Sequence, residues 1–112
     1  LTARAEHHLR GGTDLGETIE RLRAYEAAGA DVLFAPMLPD LESVRQVCAA
    51  LKKPFNFMAG IPGKSFSVAE LADVGVKRIS LATSLYRAAM KAVREAAQEV
   101  RGSGSFAYID RL

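Results

Sequence analysis

Tryptophan is absent, cysteine occurs once, proline four times, and aromatic residues make up only 7% of the 112 positions. A lone Cys48 cannot form an internal disulfide, which argues against a disulfide-stapled secreted scaffold and sets the expectation of a reduced, cytoplasmic protein. No basic-then-apolar leader opens the chain, and its uncharged stretches are far too short for a transmembrane helix. A large excess of charge of either sign is also missing. Fifteen Lys and Arg against thirteen Asp and Glu leave a formal net charge of +2, too small and too interspersed for a nucleic-acid footprint. Small acidic molecules remain compatible ligands.

What is present is an ordinary globular composition, 49% hydrophobic and 25% charged, in a length that suits one domain. Apolar period switches repeatedly between short runs and longer amphipathic stretches, with turn residues at each switch, and this predicts β/α alternation. Leu1 to Glu6 reads as a first strand with Ala3 and Ala5 on one side and Thr2, Arg4 and Glu6 on the other. His7 to Thr13 reads as loop, with adjacent histidines in solvent. Asp14 and Glu17 have capping-box spacing ahead of Ile19, Leu22, Tyr25 and Ala28, and Gly29 stops that helix. Val32 to Phe34 is a fully apolar second strand, Asp40 a cap for a helix through Leu51, and Phe55 to Ala59 a third strand. Ser67 and Glu70 form a second box, Gly75 ends its helix, and Val76 to Ala82 is a fourth strand. Thr83 or Ser84 caps a last helix of about 84–101, and the tail, 102–112, is left unassigned.

Four consecutive βα units require parallel strands with right-handed crossovers, in an open sheet or a barrel. Four units make half of a (β/α)8 barrel, which needs about 250 residues. Leu1, not Met, begins the chain inside a strand, so the expectation is a piece of something longer. Either architecture places its ligand at the carboxyl ends of the strands.

Arg4 and Glu6 share a strand face at such an end, where Arg4 suits bidentate capture of a carboxylate or phosphoryl group and Glu6 suits orienting it. The structural alternative is a strand-end ion pair. Gly60-Ile-Pro-Gly63-Lys-Ser65 ends like a nucleotide-binding P-loop, but Met58 stands where that motif requires glycine. Its amides can serve an anion or merely a strand-to-helix turn. Asn56 lies inside an apolar strand and must be hydrogen-bonded, as a tie to a neighbouring strand or as a group inside a barrel. Cys48 sits on an apolar helix face and reads as packing.

The stretches Leu1-Thr-Ala-Arg4-Ala-Glu6 and Glu17 through Asp31-Val-Leu-Phe-Ala-Pro36 resemble the isocitrate lyase and phosphoenolpyruvate mutase superfamily. Pro54-Phe-Asn56-Phe-Met-Ala-Gly60 and Ser67 through Gly75-Val-Lys-Arg-Ile-Ser80 resemble the seventh and eighth strand regions of its methylisocitrate lyase-like and phosphonomutase-like members. The similarity runs over nearly the whole chain, and it implies the second, C-terminal half of a TIM-type barrel as a single domain, 1–112. It further implies an Mg2+-dependent enzyme that makes or breaks C–C or P–C bonds beside an α-oxo acid, through an enolate-like pyruvyl species. Arg4, Glu6, Asn56 and Gly60 are the implied substrate-binding residues, the partner a small carboxylate, and the assembly a homo-oligomer, a tetramer that exchanges the last helix.

Departures narrow this reading. The family's metal-binding acids and gating loop belong to the first half of the barrel, so Mg2+ ligands are not expected in this chain and the isolated chain is expected to be inactive. Pro36 stands where lyase members carry a glutamate and the mutase a histidine, and Gly60 where methylisocitrate lyases carry an asparagine. These differences favour a related C–C bond enzyme such as an oxaloacetate-type decarboxylase or hydrolase. The alternatives are a P–C bond enzyme of the mutase or phosphonopyruvate hydrolase kind, and a non-catalytic half-barrel that needs a partner.

Overall fold

Local chemistry sets the helix boundaries in the computed structural model, which describes residues 1–112. Asp14 accepts a hydrogen bond from the Glu17 amide at 3.1 Å and opens α1 (Leu15–Ala27); Asp40 accepts from the Ser43 amide at 2.8 Å and opens α2 (Leu41–Ala50). Only Ser67 forms a full capping box, exchanging bonds with Glu70 at the start of α3 (Val68–Asp73). Glu17 does not reach back to its cap, because its carboxylate is taken by Arg21 at 3.0 Å and by His7 at 3.3 Å. Gly29 and Gly75, with φ of +98° each, supply the left-handed residue that follows α1 and α3.

The chain divides into two units, Leu1–Ala82 and Thr83–Leu112. In the first, β1 (Thr2–Arg4), β2 (Val32–Phe34), β3 (Phe55–Met58) and β4 (Arg78–Ser80) form one parallel sheet in the order β1-β2-β3-β4. This sequential, all-parallel order is the fold class expected, βα units of a TIM-type barrel covering part of the ring. The ladders are shorter than the apolar runs: pairing spans Thr2–Arg4 rather than Leu1 to Glu6, Phe55–Met58 rather than Phe55 to Ala59, and Arg78–Ser80 rather than Val76 to Ala82. Val76 is buried in the core without belonging to a ladder, which is why hydrophobicity overstates the strand.

One face of the sheet carries the core. Ala5, Leu33, Phe55 and Phe57 pack with Leu22, Val44, Val47, Leu71 and Val74 from the helices. Strand alternation therefore turns Arg4, Phe34, Asn56 and Arg78 to the opposite face. Burial pushes the thiol of half-buried Cys48 up to about 11, as suits a packing residue rather than a nucleophile.

The second unit is α4 (Ser84–Ser103) with a 3-10 turn, Ala107–Arg111. Thr83 occupies the cap position, but its side chain makes no cap hydrogen bond, contrary to the expected role for Thr83 or Ser84. The tail is ordered by Glu99, which accepts from Arg111 Nη2 at 2.7 Å and from the Tyr108 amide at 3.1 Å. No residue of α4 is buried, and no helix of the chain is long and apolar enough to cross a membrane.

Candidate functional site

An open cleft of about 530 Å3 is lined by Arg4, Glu6, His7, Arg10, Gly12, Arg21 and Tyr25 at the carboxyl end of β1 and along α1. Three guanidiniums meet two carboxylates here. Glu6 binds Arg4 Nε through one carboxylate oxygen and lies 3.4 Å from Arg10 Nε through the other, while Glu17 serves Arg21. The expected Arg4–Glu6 pair thus forms, and Arg10 joins it. Arg4 Cζ also stands 5.4 Å from the centre of the Phe34 ring, so its head leans inward over β2.

His7 and His8 are not the solvated loop pair expected. The chain turns at His7 into a 3-10 turn, His8–Arg10, instead of staying extended, and the two rings meet edge to face at 5.4 Å. His7 Nε2 accepts from the Asp14 amide at 3.2 Å, which leaves the Nδ1 proton toward Glu17. This docking needs Gly12, since a Cβ there would lie 2.3 Å from the His7 ring. Gly12→Ala is expected to displace His7 and lower stability by about 1–2 kcal/mol in urea unfolding. An unchanged midpoint would show that the ring moves aside without loss.

His8 Nδ1 lies 3.0 Å from Oγ1 of buried Thr18, whose hydroxyl donates to the Asp14 carbonyl. Burial first, then the charges of His7 and Lys64, hold its pKa below the ordinary imidazole range, with Asp14 opposing. The unfolded chain therefore binds this proton at higher pH than the folded one. The contribution is complete above the unfolded value of about 6.5 and is lost as pH falls below it. The denaturation midpoint is expected to drop between pH 7.5 and 5.5, and His8→Gln to shrink that drop. An equal drop in the variant would assign it to other groups.

Asn56, only 1% exposed, has both ends of its amide engaged: Nδ2 donates to Ser80 Oγ and Oδ1 accepts from Arg78 Nη1, both at 3.0 Å. Of the two readings of Asn56, the tie to a neighbouring strand is the one that forms, to Ser80 on β4. Register puts Arg4, Phe34, Asn56 and Arg78 in one row across all four strands. Gly60 lies beyond the end of β3, outside this row, and its amide donates to Ser65 Oγ at 2.9 Å. Ser65 in turn donates to the Ile61 carbonyl, so the glycine-rich loop is closed on itself. The only non-glycine residues with positive φ, Met37 (+70°) and Ala82 (+48°), follow β2 and β4 on the same carboxyl rim, where such strain often accompanies a site.

Arg78 and Ser80 escaped the sequence reading. Their signal is a charged and a polar residue alternating with Ile79 in a strand whose neighbours are apolar. No group of three or more His, Cys, Asp and Glu side chains could hold a metal ion.

A sequential, all-parallel sheet of βα units with charged and polar side chains in one row across its strands defines a portion of a TIM-type barrel. The profile described as phosphoenolpyruvate phosphomutase matches residues 1–101, and the chain belongs to that family, within the phosphoenolpyruvate mutase/isocitrate lyase superfamily. A solved protein of Burkholderia cenocepacia J2315, described as a lyase/mutase, superposes with a TM-score of 0.90 at 45% identity, covering 98% of this chain and 40% of its own. The 2-methylisocitrate lyase of Shewanella oneidensis is 34% identical over 106 residues, 93% of this chain and 36% of that protein. The oxaloacetate decarboxylase of Ectopseudomonas mendocina is 33% identical over 93 residues, 83% and 32% respectively. The chain thus spans about a third of the length of these curated relatives.

Proposed function

We propose that this chain is the C-terminal half-barrel of an enzyme that cleaves or forms C–C bonds in small α-oxo or hydroxy carboxylic acids, and that it supplies the carboxylate-binding side of the site. The observation that carries this reading is Arg4, held by Glu6 at the carboxyl end of β1 with its head over Phe34 on the neighbouring strand. Heterolysis of the C–C bond one carbon removed from a carbonyl leaves its electron pair in an enolate, which a proton then quenches, while the other fragment departs as carbon dioxide or a carbonyl compound. A fixed guanidinium on the adjacent carboxylate orients the acid so that the breaking bond overlaps the carbonyl system. Pro36, buried after β2, offers no proton-donating or proton-accepting side chain there, which supports an oxaloacetate-type decarboxylase or hydrolase over mutase chemistry.

On this reading the enzyme is cytoplasmic and homo-oligomeric, with α4 as the helix exchanged within a tetramer; the exposure of Leu85, Tyr86 and Val93 supports that role. Deuterium exchange tests the chemistry. The complete protein, with Mg2+ in the buffer, is expected to replace the methyl protons of pyruvate in D2O faster than a protein-free control. Exchange at the control rate would remove the enolate reading.

A further inference from the structure

Three amides of the segment between β1 and α1 converge on one residue, His7. Its backbone carbonyl accepts from the Gly12 amide at 2.9 Å and from the Arg10 amide at 3.2 Å, and its ring nitrogen Nε2 accepts from the Asp14 amide at 3.2 Å. The other ring nitrogen lies 3.3 Å from Glu17 on α1, and the side chain is only 18% exposed. Gly12 packs so closely that a Cβ there would collide with the ring. His7 therefore fixes the path of the turn from Arg10 to the cap of α1. The bond from Asp14 needs a lone pair on Nε2, so a side chain without an acceptor at that place cannot make it.

The same turn reaches Arg4 through Glu6. The Arg10 amide also donates to the Glu6 carbonyl at 3.0 Å, and Arg10 Nε lies 3.4 Å from one Glu6 carboxylate oxygen while the other holds Arg4 Nε. The Arg10 side chain is largely exposed, so its ion pair with Glu6 is weak by itself, and the main-chain bonds of the turn are what keep the two groups together. Glu6 in turn fixes Arg4, whose Cζ stands 5.4 Å from the centre of the Phe34 ring. We infer that His7 is a positioning residue that acts through the turn, Arg10 and Glu6 to hold Arg4 in its carboxylate-binding orientation. The inference rests on the proposed role of Arg4 and adds the residue on which its aim depends.

Pyruvate binding to the complete protein, with Mg2+ in the buffer, tests this by ligand-observed NMR titration, which reaches weak affinities. His7→Phe keeps a ring and removes the acceptor, and is expected to weaken binding about 10-fold. His7→Gln, whose amide oxygen can take the Asp14 bond, is expected to stay within about 3-fold of the wild type. Arg4→Ala alone is expected to weaken binding, and because His7 acts through Arg4, adding His7→Phe to that variant is expected to cost less than a further factor of about 2. A merely structural His7 would cost the same factor in both backgrounds. Gly12→Ala, which displaces the same ring, is expected to follow the pattern of His7→Phe and decides the matter where His7→Phe does not fold. An equal loss in both backgrounds, no loss in either, or a loss for His7→Gln as large as for His7→Phe overturns the role of His7 and leaves that of Arg4 standing. Pyruvate binding that Arg4→Ala leaves undiminished overturns the proposed function instead, and a wild-type protein that does not bind pyruvate overturns both.

Discussion

Replacing Arg4 with alanine in the complete protein is expected to lower kcat/KM for its α-oxo acid by about 100-fold or more, with no comparable loss of stability. The size follows from removing a charge-assisted, bidentate-capable contact at the reacting carboxylate, and from losing the orientation that contact imposes. Stability should change little because Arg4 is exposed and its partner Glu6 keeps Arg10 at 3.4 Å. Steady-state kinetics with paired urea unfolding checks both halves. Unchanged kinetics would reduce Arg4 to the strand-end ion pair that spacing alone also allows.

Phe55→Ala is expected to produce the largest loss of stability in the chain, about 3–5 kcal/mol. Phe55 is 1% exposed on β3, an interior strand paired with both β2 and β4, and packs in the core with helix residues Val44, Val47 and Leu71. Backbone pairing on both sides restrains the cavity from collapsing, so the lost contacts are not recovered. Set against the 5–15 kcal/mol typical of a whole domain, such a loss brings the fold near its threshold. A urea midpoint shifted by less than about 1 kcal/mol would show that the site repacks.

Capping made the helices legible in the sequence, because the bond from the Ser43 amide to Asp40, or the reciprocal pair of Ser67 and Glu70, depends on residues three apart. Alternation likewise told which side of β1 carries Arg4. The pairing of Arg78 with Asn56 was not legible, since it joins residues 22 apart through a register that only the assembled sheet fixes. Asn56 announced itself as a polar residue in an apolar strand, but nothing in its neighbours names the partner. His7 and His8 misled because the reading assumed an extended chain where Gly12 lets a tight turn close against the His7 ring. The ladders came out shorter than predicted for a related reason: Val76 is apolar for the sake of the core, and burial without pairing leaves the same mark on a sequence as a strand does.

The most direct test of the whole account is product analysis by 13C NMR, with uniformly labelled oxaloacetate incubated with the complete protein and, separately, without it. The account predicts protein-dependent C–C cleavage, read as pyruvate and carbon dioxide for a decarboxylase or as oxalate and acetate for a hydrolase. Loss of oxaloacetate at the protein-free rate, and of C4 and C5 hydroxy acids likewise, would contradict it.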